Sequence, residues 1–254
     1  MGNTMEELSV FQYNLIYNAF SFGLATMMAA TLFLWIQRSV VSDAYKTAVT
    51  ISGLVTFIAA YHYLQIMLSW EAAFDVTGGE VSATGKEYNL AYRYVDWLLT
   101  VPLLLVELIL IMNLSKSDTV KKAWVLGLAA ALMIVLGYPG EISDDPGTRW
   151  FWWTLSMIPF LYILFELFVG LKEAIDRQPE EVKGLVSAAR YLVVVSWLFY
   201  PIVFIFPMIG FTGAGATTAV EVGYTIADIV AKAVFGVFIF TIALKKSKSE
   251  KGIL

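Results

Sequence analysis

The 254-residue chain has no cysteine, a single histidine, and charge on only 15% of its residues. Without cysteine there are no disulfides, no thiolate catalysis and no cysteine-based metal sites, and no metal is expected. No soluble domain and no low-complexity tract can be found, and no run alternates in the manner of a membrane β-barrel strand. The opening segment MGNTMEELSV carries Glu6 and Glu7 but no basic stretch, so no cleaved signal peptide is expected.

What the chain has in excess is apolar sequence. Hydrophobic residues make up 59% of it, and the mean hydropathy is +0.71, which puts it in the membrane class. Seven runs are long enough to cross a bilayer at about 20 residues each. They lie at roughly 10–36, 47–70, 89–113, 120–138, 150–171, 185–209 and 217–244. The expected fold is an all-α membrane protein, a seven-transmembrane-helix bundle forming one domain over 1–254.

Basic residues set the orientation. Arg38, Lys46, Lys116, Lys121, Lys122, Lys172, Arg177, Lys183, Arg190, Lys245, Lys246, Lys248 and Lys251 fall on one side, against Lys86 and Arg149 on the other. The positive-inside rule then puts the N-terminus outside and the C-terminus in the cytoplasm. The external loops are acidic, with Glu71, Asp75, Glu80, Glu141, Asp144 and Asp145. The net charge of −4 therefore reflects sidedness and gives no hint of a nucleic-acid partner. In the loop EAAFDVTGGEVSATGKE, Gly78-Gly79 between two β-prone stretches suits a small external hairpin.

Against this apolar background, Lys232 stands out. The next cation, Lys245, is thirteen residues on, or roughly 20 Å along a helix, so Lys232 is too deep to snorkel. Asp228 at i−4 shares its helix face and can serve as counter-ion. Two readings fit: a structural Lys–Asp pair lining a polar cavity, or a covalent link to a carbonyl cofactor, which explains lysine rather than arginine.

Other ionisable residues within the spans are His62, Arg93, Asp96, Glu107 and Glu166. Asp96, Thr100 and Glu107 stand at i, i+4 and i+11, within about 40° on one helical stripe, and Arg93 lies on the same side nearer the outer surface. Counted from the span ends, Lys232 sits between the two carboxylates in depth and closer to Asp96. That order suits a vertical proton relay. His62 matches Asp96 in depth and is either a packing residue or a hydrogen-bond partner that tunes it. Glu166 has no evident partner and reads as interfacial or interhelical. Trp97, Trp153, Phe160, Trp197 and Tyr200 lie near mid-membrane and could box an elongated apolar chromophore.

The segments RYVDWLLTVPLLLVE (93–107), GYPGE (137–141), RWFWWTLSMIPFLYILFEL (149–167), WLFYP (197–201) and ADIVAKAVFG (227–236) together resemble the microbial (type 1) rhodopsins, most closely the proteorhodopsin group. The resemblance spans essentially the whole chain. It implies a light-driven outward proton pump with all-trans retinal bound as a protonated Schiff base on Lys232. Asp96 and Asp228 would be counter-ions, Asp96 the proton acceptor, Glu107 the proton donor, Thr100 the middle of the Asp-Thr-Glu triplet, and Arg93 the release-side arginine. His62 would tune the acceptor. Trp97, Leu104, Trp153, Ser156, Phe160, Trp197, Tyr200 and Pro201 would form the retinal pocket.

By the same resemblance, chloride pumps lack the acceptor carboxylate and sodium pumps carry Asn-Asp-Gln, so neither fits Asp96-Thr100-Glu107. Leu104 implies green absorption. Trp153 stands where carotenoid-antenna relatives have glycine, which disfavours an antenna there. Pro159 departs from the family pattern. A bacterial inner membrane and a ring-like homo-oligomer are also implied. Two other readings remain at this point: a photosensory receptor signalling to a partner, and a ligand receptor or secondary transporter using Lys232 and Asp228 as a charge pair. No inverted repeat or pair of broken helices supports the transporter.

Overall fold

The computed structural model describes residues 8–252, so most of the N-terminal segment behind the signal-peptide expectation lies outside the described residues. Among them are seven helical spans long and apolar enough to cross a membrane: Val10–Val40, Asp43–Ala73, Ala91–Ile111, Lys116–Glu141, Pro146–Asp176, Glu180–Phe204 and Ala214–Glu250. They follow the expected order, and most run a turn or so beyond the apolar runs, because polar caps extend a helix past its greasy core. Ser9 and Gln12 form a capping box on the first span. Asp145 accepts from the Thr148 amide at 2.6 Å, with Pro146 opening the fifth.

The sixth span differs from the expected 185–209. It starts at Glu180 and ends at Phe204, five residues early. The chain tightens into three-residue turns at Ile205 and Phe206 before Pro207, since Pro207 has no N–H for the Val203 carbonyl, which accepts from Phe206 instead.

Consecutive spans pack as neighbours, and the seventh and third are the most buried of the seven. Large apolar side chains such as Phe22, Ile36, Trp124, Ile158 and Val195 face outward. In water such a surface would be a liability, whereas in lipid it is the required solvent-facing surface. The chain is thus a multi-pass membrane protein.

The hairpin forms as expected. Strands β1 (Phe74–Thr77) and β2 (Glu80–Ala83) pair antiparallel with Thr77 opposite Glu80. The two connecting residues, Gly78 and Gly79, have φ of 65° and 87°, the left-handed region a tight primed turn demands. This hairpin marks one end of the bundle, called here the hairpin end; the opposite one is the C-terminal end.

Candidate functional site

Lys232 lies on a π-helical segment, Ile229–Val234, inserted into the seventh span. Such segments recur at functional sites because the extra residue per turn re-aims a side chain. Lys232 is 2% exposed. Its Nζ donates to a carboxylate oxygen of Asp96 and lies 3.1 Å from Asp228 Oδ1. An ammonium so deep is tolerable only with such partners.

The two carboxylates are held differently. Asp228 receives Tyr63 from the second span at 2.9 Å, Tyr200 from the sixth at 2.6 Å and the Trp97 indole from the third at 3.3 Å. Asp96 receives Lys232, and its Oδ1 has no hydrogen-bond partner among the described residues. His62 Nδ1 stands 3.8 Å from that oxygen but bonds the Ile58 carbonyl of its own helix at 2.9 Å. Of the two readings of His62, the hydrogen bond to Asp96 is not made here; the histidine is adjacent to Asp96 and bonded within its own helix. Thr100 likewise donates to the Asp96 backbone carbonyl at 2.8 Å.

Toward the hairpin end, Arg93 is buried and bonds Glu221 at 2.5 Å, with Tyr88 donating to the same oxygen at 3.1 Å. The guanidinium also lies 4.9 Å from the Tyr224 ring centroid, a cation–π contact. The sequence reading missed Glu221. Its signal was the seven-residue spacing to Asp228, two turns on the same face. A second buried pair joins Arg149 to Glu141 at 3.7 Å, and Arg149 also donates to the Glu141 and Phe204 carbonyls at 2.9 and 3.3 Å. The reading of Glu141 and Arg149 as loop residues is thus corrected. Glu141 ends the fourth span, Arg149 sits in the first turn of the fifth, and both are buried because each supplies the other's counter-charge.

Toward the C-terminal end, Glu107 is fully buried and accepts from Ser52 at 2.5 Å; its other oxygen has no partner among the described residues. Thr56 donates to the Ser52 carbonyl at 3.2 Å, and its hydroxyl meets Thr31 at 2.8 Å. Ser52, Thr56 and Tyr63 repeat the i, i+4, i+11 spacing of Asp96, Thr100 and Glu107, so the second span lays a polar stripe of its own, which meets the third span through Ser52, the first through Thr56 and the seventh through Tyr63. That repeat was the unread signal. Glu166, which had no evident partner, is interhelical: Lys122 bonds it at 3.1 Å.

An apolar cavity runs from Lys232 and is walled by Trp97, Leu104, Trp153, Ser156, Phe160, Trp197, Tyr200 and Pro201, together with Tyr94, Met133, Met157 and Tyr224. Every expected pocket residue is in its wall. Trp97 packs edge-on against Tyr200 at 4.9 Å between ring centroids, and the Trp153 indole donates to the Pro201 carbonyl at 3.0 Å. These contacts orient the rings of Trp97, Tyr200 and Trp153 in the wall.

Residues 14–246 match the family of bacteriorhodopsin-like proteins. The chain belongs to that family. Within it, the chain is 31% identical over 241 residues to a green-light absorbing proteorhodopsin of Gamma-proteobacterium EBAC31A08, covering 92% of this chain and 89% of that one. It is 33% identical over 233 residues to a blue-light absorbing proteorhodopsin of Gamma-proteobacterium Hot 75m4, covering 90% and 87%. Among solved structures, it is 49% identical to xanthorhodopsin, described as a light-driven ion pump with dual chromophore, at a TM-score of 0.93 over 96% of this chain and 98% of that one.

Proposed function

We propose that this protein is a light-driven proton pump that carries all-trans retinal on Lys232 and moves protons from the cytoplasm outward. One observation carries the reading: a buried lysine, held between two carboxylates, at the end of a cavity walled by aromatic rings. The residues fit the cofactor, since the cavity is apolar along its length and polar at the Lys232 end, as an elongated hydrocarbon with one reactive terminus requires. Lys232 would hold the retinal through its nitrogen, and the bound group would supply absorption of visible light and photoisomerisation.

The protein's residues decide where the proton goes. Asp228 already receives three neutral donors besides Lys232, whereas Asp96 has an oxygen free to take a proton. Asp96 is therefore the acceptor and Asp228 the fixed counter-ion. His62 stands by Asp96, and Thr100 holds its backbone. Arg93 and Glu221 continue the polar route toward the hairpin end. Glu107, about 16 Å from Asp96 by helical rise, returns a proton to the Lys232 nitrogen from the other side, with Ser52 orienting its carboxyl. The basic residues at the C-terminal end support a cytoplasmic assignment for it, and the hairpin end then faces outward.

The proton as cargo is supported by the Asp96-Thr100-Glu107 set, and green absorption by Leu104 in the cavity wall. The indole of Trp153 fills the wall at the position where an antenna would need a gap, so a single chromophore is proposed here, in contrast to the dual chromophore of xanthorhodopsin. A bacterial inner membrane, a homo-oligomer and one domain complete the reading.

The test is the light-induced pH change in a suspension of expressing cells given all-trans retinal, with and without a protonophore. External acidification abolished by the protonophore is expected. A coloured protein that moves no protons would favour a photosensory role, and a colourless one would end the retinal reading.

A further inference from the structure

The C-terminal end of the bundle is closed by a buried ammonium that the mechanism above does not use. Lys246, counted in sequence among the loop-side cations, is 6% exposed. Its Nζ donates to the Ile111 carbonyl at 2.8 Å and to Gln178 Oε1 at 2.6 Å. Gln178, 8% exposed, donates in turn to the carbonyls of Met112 at 3.0 Å and Ala174 at 2.8 Å. Two side chains thus tie the last turn of the third span, the segment between the fifth and sixth, and the seventh.

Neighbouring bonds brace this closure. The Tyr45 ring lies 5.2 Å from Lys246 Nζ, and its hydroxyl donates to Glu250 at 2.5 Å. Ser42 bonds Glu250 at 2.9 Å and Ser247 at 2.8 Å.

Its place and its chemistry both bear on Glu107. Ile111 is four residues beyond Glu107 on the same helix, about 6 Å of rise. Glu107 has no charged hydrogen-bond partner among the described residues, and Leu108, Ile111, Ile239 and Ala243 around this level are all fully buried apolar groups. Lys246 and Gln178 bond the carbonyls of Ile111 and Met112, so they stand beyond Glu107 on the side of the C-terminal end. A cation capping helix carbonyls is favourable, but both acceptors of Lys246 are neutral. The Glu250 carboxylate lies close enough to act on Lys246 through its charge but makes no direct ion pair with it, and an ammonium hydrogen-bonded to neutral acceptors is held less firmly than one bonded directly to a carboxylate. It can swing to solvent without breaking an ion pair, and while in place its charge opposes an incoming proton.

We propose that Lys246 and Gln178 form a latch across the proton-uptake path, positioning residues whose release admits the proton that refills Glu107. The inference rests on the proton-pump reading above.

The experiment is flash photolysis of the retinal-loaded protein with a pH-indicator dye, following proton release, proton uptake and the protonation of the Lys232 nitrogen separately. Lys246→Met and Gln178→Leu are each expected to speed uptake by about threefold or more, with release and the ground-state absorption band unchanged. A residue that merely holds the fold would lower the melting temperature and leave uptake alone, and that outcome overturns the latch. Slower uptake overturns it too, since the pair would then be conducting protons. Gln178→Leu, at a segment between helices, keeps the test alive should Lys246→Met fail to fold. Absence of any light-driven proton transient in the parent protein overturns the pump and the latch together; a normal parent transient that both variants leave unchanged overturns the latch alone.

Discussion

Between Lys232 and the hairpin end the interior is crowded with charge; between Lys232 and the C-terminal end it is almost wholly apolar. The first half holds Asp96, Asp228, the Arg93–Glu221 and Arg149–Glu141 pairs, and the hydroxyls of Tyr63, Tyr88 and Tyr94. The second holds Glu107, hydrogen-bonded only to Ser52, inside a layer containing Leu104, Leu105, Leu108 and Phe235, with the Lys246 closure beyond it. The difference assigns different work to the two halves. On the proton-pump reading, a proton leaving Lys232 toward the hairpin end would pass among groups already hydrogen-bonded to one another. On the same reading, a proton coming back must cross a layer whose polar groups are few, Glu107 with Ser52 and the Thr31–Thr56 pair, so return is expected to depend on structural opening and to be the slower step.

The most drastic way to break the comparison is to remove its centre. Lys232→Ala is expected to abolish the visible band after retinal addition, measured by absorption of the purified protein. A coloured variant retaining covalent retinal would sink the account. Next in size, Asp96→Asn is expected to abolish light-driven acidification, because no second carboxylate in the polar half has an oxygen free beside Lys232. Undiminished pumping by that variant would show that Asp228 accepts the proton despite its filled hydrogen-bonding positions.

The apolar half gives a graded test. Glu107→Gln keeps the shape and the Ser52 hydrogen bond but has no proton to give, so return of the proton to the Lys232 nitrogen is expected to slow by about a hundredfold. Time-resolved absorption after a flash reads this directly. An unchanged return would mean that the apolar half admits protons without a carboxyl donor.

How much of this contrast can be read from sequence differs between the halves. The seven spans, the hairpin and the stripe of Asp96, Thr100 and Glu107 follow from hydropathy, turn chemistry and a 100° period, all local properties. Lys232 and its partners were legible because a charge deep in an apolar run has few innocent explanations. Glu221, Glu141 and Arg149 were harder. They lie near the span ends, where a charge is ordinarily solvated, and only the packing of spans three to seven buries them as pairs. Lys246 was misread for the same reason: a run of lysines after an apolar segment is usually exposed, and nothing local marks the one that turns inward to Ile111. The π-helical segment around Lys232 leaves no sequence trace, since it arises from how the seventh span packs.

The smallest effect expected is on stability, and it probes whether the polar half is held by its ion pairs. Glu221→Gln keeps an oxygen for Arg93 and Tyr88 but removes the negative charge from a guanidinium that is 2% exposed. Uncovering one partner of a buried pair costs about 3 kcal/mol. Tyr224 and Phe20, whose ring centroids lie 4.9 and 5.8 Å from the guanidinium, return only part of that through cation–π attraction. Thermal unfolding of the retinal-loaded variant, followed by loss of the visible band in the same detergent as the parent, should show a lowered midpoint with an intact spectrum at room temperature. An unchanged midpoint would mean that Arg93 is held by its rings and by the field of Asp228 rather than by Glu221. The charge crowding of the hairpin half would then be a matter of proton routing alone, with no share in holding the spans together.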